Sequence, residues 1–306
     1  MKHDSRRSKI FIRQLTVLDC GIWDHLRGPT GCSWSVDVTW FGGTDDEGVV
    51  IDFSEAKKLA KKVIDDQFDH RLLISKDRVS QLGKGRYLCL PHPKTAPQDR
   101  FFLETYDSSI ALFANLVLEE LSSGATGQLE TALADAIKES SPGNINDVKV
   151  KLRGHQEQSE PYFFNYLHSL RLHNGNCQRF HGHSNTIEVF VKGHLNQDYS
   201  SKAANFLNGK YLVTSYYVQK DFDLRHLPYQ EIANSYEIND GDHRCIEYTG
   251  SQGFVRVFVP KNRLELLPTE STIENITEWL HGHLFSDCED VTVYGFEGLN
   301  KGAIFP

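Results

Sequence analysis

The chain repeats itself, and that repeat limits its possible folds more than any other feature. The run TGCSWSVDVTWFGG from Thr30 lies over HGHSNTIEVFVKG from His181, so that Gly31 falls on Gly182, Ser33 on Ser184, and Val36-Asp37-Val38 on Ile187-Glu188-Val189. Further on, Asp52-Phe53 has a counterpart in Asp221-Phe222, Asp69-His70-Arg71 returns as Asp242-His243-Arg244, and Val148-Lys149-Val150 matches Val291-Thr292-Val293. Each match alone is weak, but their shared order reads as two copies of one unit, residues 1–157 and 158–306, joined near Gln156 to Pro161. A length of 306 residues suits two domains of about 150.

Each unit reads as two strands, then helices, then two more strands. In the first, Phe11 to Leu18 and Ser33 to Phe41 are strands, followed by the turn-rich GGTDDEG. Ser54 to Asp65 is a helix with Ala56, Leu59, Ala60 and Val63 on one face and Ser54 as its N-cap. Ser108 to Leu121, apolar nearly all round, reads as a buried helix. Leu129, Leu133 and Ile137 mark a third, which the second unit lacks, and Asn146 to Leu152 is the closing strand. The second unit has instead an insertion at 193–220, polar and Tyr-rich without a sustained period, expected as an extended hairpin or a loop over the site. Phe254 to Val259 alternates again, a helix starts at Thr272, and Val291 to Phe305 supplies the last strands. Antiparallel strands backed by helices on one face make an α+β protein.

The chemistry-bearing residues gather in Phe163 to Val191, FFNYLHSLRLHNGNCQRFHGHSNTIEVFV. Ile187, Val189 and Val191 point one way and Glu188 and Phe190 the other, the period of a half-buried strand. Residues i and i+2 of a strand share a face, so His181 and His183 aim two imidazoles at one point. His168 lies in a preceding apolar run, and a hairpin would bring it alongside. Three neutral imidazoles with one open position make a catalytic zinc arrangement, whereas a fourth protein ligand would make a structural one. The plain alternative is a set of ordinary strand histidines, which Cys177, four residues before the pair, weakens. A second His-Gly-His, His281 to His283, follows a helical spacing of Ile273, Ile276 and Leu280. On a helix those imidazoles diverge by roughly 200 degrees, and they read as solvated residues at a helix end, where a cation suits the dipole.

The formal charge of -8 argues against a general nucleic-acid or anionic-membrane binder. No apolar run approaches the length of a membrane span, and MKHDSRRSKIF lacks the apolar core of a signal peptide. Six cysteines scattered without a Cys-x-x-Cys pair favour reduced thiols in the cytoplasm.

Cys177-Gln-Arg-Phe-His181-Gly-His183, preceded by His168 and followed by a strand and Asp242-His243, resembles the 6-pyruvoyltetrahydropterin synthase and 6-carboxytetrahydropterin synthase family. The resemblance covers nearly all of residues 160–306 and, more faintly, the first half. It implies two tandem T-fold (tunnelling-fold) units, each a four-stranded antiparallel sheet with two helices on one side, which assemble into barrels. It further implies a zinc-dependent lyase: His168, His181 and His183 would hold Zn2+, whose open position would bind the side-chain oxygens of 7,8-dihydroneopterin triphosphate. Cys177 would be the base, acting as its thiolate, and Asp242 with His243 would pass the proton onward. Glu297, in Val293-Tyr-Gly-Phe-Glu297-Gly, would accept two hydrogen bonds from the pterin, although the family's usual Glu-Thr is Glu-Gly here. Thr272 would either contact the pterin or simply cap its helix. The four-residue step from Cys177 to His181 is similar to the bacterial 6-carboxy branch of queuosine and 7-deazapurine synthesis.

Against this pattern the first unit is degenerate. Val17, Thr30 and Cys32 stand where the ligands would be, and the position of Cys177 falls near Leu26. Asp69-His70 survives, so the first unit either lends one wall of the other unit's site, with His70 in it, or Asp69 only bridges within its own unit. If single-unit relatives form hexamers, a tandem chain would form a homotrimer, with a dimer as second choice. Besides the 6-carboxy product, a 6-pyruvoyl product made with the same ligands, a non-catalytic pterin-binding T-fold protein and a structural zinc protein stay open.

Overall fold

The structure, a computed structural model, describes residues 8–113, 126–154, 161–219, 227, 229–239 and 241–306. In the first half, strands β1 (Ser8–Asp24) and β2 (Gly28–Gly42) form a long antiparallel hairpin, followed by α1 (Phe53–Gln67). Five short strands come next: β3 (Leu72–Ser75), β4 (Val79–Gly83), β5 (Arg86–Cys89), β6 (Phe102–Tyr106) and β7 (Ile110–Phe113). Helix α2 (Gly127–Ser140) and strand β8 (Ile145–Gly154) close the half. The second half opens with the hairpin β9 (Phe163–His168) and β10 (His181–Val191), then β11 (His194–Leu195), α3 (Gln197–Leu207) and β12 (Lys210–Thr214). It continues through α4 (Gln230–Ser235), β13 (His243–Gly250), β14 (Gly253–Pro260) and β15 (Leu264–Leu267), and ends with α5 (Ile273–Leu284), β16 (Val291–Phe296) and β17 (Gly302–Phe305).

The fold is mixed α+β, with tandem T-fold units. One sheet runs β7-β3-β1-β2-β8 and the second β15-β12-β9-β10-β16-β17, with β11 on the side of β10. In each the antiparallel strands are extended at one edge by short parallel ones. A third sheet, β13-β14-β6-β5-β4, draws on both halves, since β14 pairs with β6 through Val257 and Leu103. The halves are therefore stitched together by main-chain hydrogen bonds as well as by packing.

The helices cover one face of each sheet. Ala56, Ala60, Val63 and Ile64 of α1 and Leu129, Leu133 and Ile137 of α2 bury against the first. Each fully buried aliphatic side chain contributes about 1.5–3 kcal/mol. The cap of α1 is Asp52 rather than Ser54: its carboxylate accepts the Ser54 and Glu55 N–H groups, which a charged oxygen at a helix start does best.

Three expectations are corrected. Ser108 does not open a helix: a 3-10 turn at Asp107–Ser109 leads straight into β7, where Ile110 is buried and Leu112 exposed, the alternation of a strand. The remainder of that segment lies outside the described residues. Residues 193–220 are not an extended loop, because α3 occupies the centre of that span. Its buried face is Ser200, Ala203, Ala204 and Leu207, a helical spacing disguised by small and polar residues. Nor does the second half lack a counterpart of α2, since the helix expected from Thr272, α5, packs on β16 as α2 packs on β8. The Asp221-Phe222 match and the joint at 155–160 fall outside the described residues.

The two hairpins cross face to face at the repeated glycines. A Cβ on Gly31 would collide with the Tyr166 carbonyl and the His183 backbone, and one on Gly182 would lie 2.7 Å from the Gly31 Cα. Two residues on, the Ser33 N–H donates to Ser184 Oγ at 2.9 Å and the Ser184 N–H to Ser33 Oγ at 3.2 Å. Residues aligned by the sequence repeat thus face each other across a local two-fold, and this close approach carries side chains of the first half into the second half's histidine cluster.

Candidate active site

Antiparallel pairing sets His181 opposite His168, and the pleat returns His183 to the same face. The Nε2 atom of His168 lies 2.9 Å from that of His181 and 3.0 Å from that of His183, and all three rings are buried. Their outer nitrogens are held from three directions. His168 Nδ1 donates to the Ser271 carbonyl at 2.9 Å and His181 Nδ1 to the Arg179 carbonyl at 2.8 Å, while His183 Nδ1 lies 3.1 Å from Asp19 Oδ1.

The partners dictate the tautomers. With protons on Nδ1 facing acceptors, each Nε2 presents a lone pair. Burial pushes His168 and His181 well below the ordinary imidazole range, which keeps both neutral. Lone pairs converging within 3.0 Å repel unless a cation sits among them, and three imidazoles are a donor set suited to zinc. The trio could hold a metal ion.

The first half supplies the surroundings. His70 stacks beside His181 with ring centroids 4.5 Å apart and follows α1 in a left-handed conformation, φ 54°. Its N–H donates to the Asp19 carbonyl at 2.7 Å, and its Nδ1 sits 2.5 Å from Asp69 Oδ2. Cys177 lies within hydrogen-bonding reach of the same ring. Burial opposes a charged His70, but Asp69 and Cys177 outweigh it and push the imidazole up to about 10. Cys177 occupies a 3-10 turn pinned by Gln178, whose side-chain amide donates to the Arg171 and His173 carbonyls and whose Oε1 accepts the Gln252 N–H at 3.0 Å.

Asp19 is the residue that sequence reasoning missed. It is 2% exposed, accepts the Ser33 hydroxyl at 2.5 Å and lies 3.5 Å from Lys301 Nζ. Burial by itself would raise this carboxyl, but His183, Lys301 and Ser33 hold it well below the usual carboxylate range. A signal was present, since Asp19 is the one charged residue in the otherwise apolar run Leu18 to Trp23 of β1. Lys301 also lies 3.8 Å from Glu297, so the β16–β17 turn carrying Glu297 closes over Asp19. The buried hydroxyl of Tyr166, whose ring packs against those of His168 and His183 at 5.2 and 5.4 Å, has no partner among the described residues.

Other sequence candidates lie elsewhere. Asp242 and His243 do not join the cluster: His243 Nε2 donates to the Arg100 carbonyl, and both residues line a separate surface pocket with Pro97, Asn239 and Lys261. The sequence match of this pair to Asp69-His70 is also overturned: Asp69-His70 follows α1 and leads into β3, and the residues in that place after α3 are Asn208-Gly209, whose bonds to Asn165 repeat those of Asp69-His70 to Asp19, whereas His243 opens β13. Thr272 is the N-cap of α5, its Oγ1 accepting from the Asn275 N–H. Its neighbour Ser271 holds His168. The register also corrects one match, because Thr30 pairs with Ile22, so Ile22 and not Val17 stands opposite it as His168 stands opposite His181. His281 and His283 diverge on α5 as expected, His283 exposed and stacked on Trp279.

A comparison with curated proteins finds no match. Among solved structures, that of Plasmodium vivax 6-pyruvoyltetrahydropterin synthase is 17% identical, covering 51% of this chain and 94% of its own, with a TM-score of 0.32. A catalytic-residue mutant of the same enzyme is 18% identical, covering 48% of this chain and 91% of its own, with a TM-score of 0.32. The Plasmodium falciparum enzyme is 17% identical, covering 48% and 90%, with a TM-score of 0.31. The family model described as 6-pyruvoyl tetrahydropterin synthase matches residues 25–143 and again residues 159–297. Since those two tandem segments span well over half of its length, the chain belongs to the 6-pyruvoyl tetrahydropterin synthase family.

Proposed function

We propose that this chain is a zinc-dependent pterin synthase acting on 7,8-dihydroneopterin triphosphate, with residues 158–306 as the catalytic unit and residues 1–157 as its support. The observation that carries this reading is the convergence of three Nε2 lone pairs beside a cysteine whose neighbour is an Asp-linked histidine. His168, His181 and His183 would hold Zn2+, which when bound supplies a Lewis acid that eases loss of a C–H proton next to the substrate's side-chain oxygens. Cys177 takes that proton as base. His70, kept oriented and charged by Asp69, stabilises the Cys177 thiolate from its far side until that transfer. Glu297 accepts the pterin's N3–H and 2-amino hydrogens, which sets the side chain toward the histidines.

The product we assign is 6-carboxy-5,6,7,8-tetrahydropterin, formed with uptake of water and release of acetaldehyde and triphosphate, as in 7-deazapurine synthesis. Six free cysteines and the absence, among the described residues, of a helix able to cross a membrane fit a cytoplasmic enzyme. The test is incubation of zinc-loaded protein with 7,8-dihydroneopterin triphosphate and mass identification of the pterin released. A 6-carboxy mass supports the full reading, and a 6-pyruvoyl mass keeps the site but changes the branch. Unreacted substrate sinks the enzyme reading.

A further inference from the structure

We infer that Asp19, contributed by the half that has no metal site of its own, is a positioning residue for the metal centre of the other half, fixing His183 as a ligand. The inference rests on the metal reading above and adds a residue to it. Each of the three ligands needs a partner on its outer nitrogen to set its tautomer and ring angle. For His168 and His181 that partner is a backbone carbonyl. For His183 no hydrogen bond to Nδ1 is formed among the described residues, and the acceptor that faces it is a carboxylate from another unit, Asp19 Oδ1 at 3.1 Å.

Asp19 is built to hold still. The Ser33 hydroxyl donates to Oδ1, and Ser33 is itself fixed by the reciprocal bonds with Ser184. Lys301 Nζ faces Oδ2 at 3.5 Å, and Gly298 packs so closely that an added Cβ would lie 2.8 Å from Oδ1. The main chain of the same residue anchors the proton relay, since its N–H donates to Asp69 Oδ1 at 3.0 Å and its carbonyl accepts the His70 N–H at 2.7 Å. One residue of β1 thus connects the metal ligand to the Asp69–His70 pair. A carboxylate facing a ligating imidazole also makes that imidazole the more basic donor, and such partners usually matter 10–100-fold in metal affinity.

The bland reading is that Asp19 serves only as the buried counter-ion of Lys301. The two separate in Asp19→Asn, which keeps the shape and removes the charge. Zinc affinity would be measured against a competing chelator, alongside the thermal stability of the metal-free protein. The inference expects roughly 10–100-fold weaker zinc binding with metal-free stability close to that of the unaltered chain. Unchanged zinc affinity overturns it, as does a loss of affinity fully matched by unfolding. A second measurement needs no variant: in 15N-labelled, zinc-loaded protein, imidazole correlations should find the His183 proton on Nδ1, and a proton on Nε2 overturns the inference. If the unaltered chain binds no zinc, the functional reading falls too, an outcome distinct from wild-type binding that Asp19→Asn leaves untouched.

Discussion

In the function proposed above, His70 gives the first half of the chain a part in the chemistry. It sits in a left-handed backbone conformation that non-glycine residues rarely adopt, held there by its N–H bond to the Asp19 carbonyl. Asn tolerates that conformation better than Ala, so His70→Asn is the sharper variant. It should lower kcat by roughly 10²–10⁴-fold, the range for losing a general acid–base partner, while zinc content stays at the wild-type level. Wild-type turnover in a stably folded His70→Asn protein would remove His70 from the reaction. Cys177→Ala should abolish turnover with zinc still bound, since the thiol is not among the three ligand side chains; a metal-free Cys177→Ala protein would instead make the thiol a ligand. These assignments show what was legible. The three histidines could be found because strand period alone puts i and i+2 on one face. Asp242 was misassigned because a three-residue match does not make two positions equivalent, the place of Asp69-His70 being taken in the second half by Asn208-Gly209, and Asp19 was missed because its partner lies more than 160 residues away.

The hairpin crossing that joins the halves depends on two glycines more than on any apolar contact. Gly31→Ala would force its Cβ into the Tyr166 carbonyl and His183 backbone, which cannot yield as a flexible side chain would. We expect a destabilisation of roughly 3 kcal/mol or more together with loss of zinc affinity, read by chemical denaturation and chelator competition. A Gly31→Ala protein as stable as wild type would mean the hairpins do not meet there. Helix α3 poses the opposite problem, for it was illegible where the hairpins were plain. Its face turns on Ser200, whose Oγ accepts the Val189 N–H at 2.9 Å and donates to the Asn196 carbonyl at 2.8 Å. A buried serine satisfied by its surroundings leaves no mark in a hydrophobic pattern. Ser200→Ala strands that strand N–H and should cost about 1–3 kcal/mol, whereas an unchanged unfolding midpoint would show the N–H to be otherwise satisfied.

The tandem arrangement makes the halves unequal partners in one machine. They share a sheet through β6 and β14, and the histidine trio of one faces the carboxylate of the other. The trio ties β9 and β10 to Ser271, just before the N-cap of α5, so a metal bound there would stabilise the whole chain rather than a loop. At free zinc about 1,000 times its dissociation constant, mass action adds about 4 kcal/mol, so stripping the metal with a chelator should lower Tm by roughly 6 °C. An unchanged Tm after complete stripping would argue that the trio binds nothing in the folded chain. Larger assembly follows from the sheet edges. Strand β17 ends the second sheet with Ile304 60% exposed, and β15 ends its other side with Leu266 39% exposed. Apolar edge strands left open invite pairing with another chain. We therefore expect native mass measurement to give a homotrimer, about three times the 34.9 kDa chain, and Ile304→Lys to shift it toward smaller species. A wild-type protein that stays monomeric at micromolar concentration would mean that both edges are tolerated in water and that the site is complete within one chain.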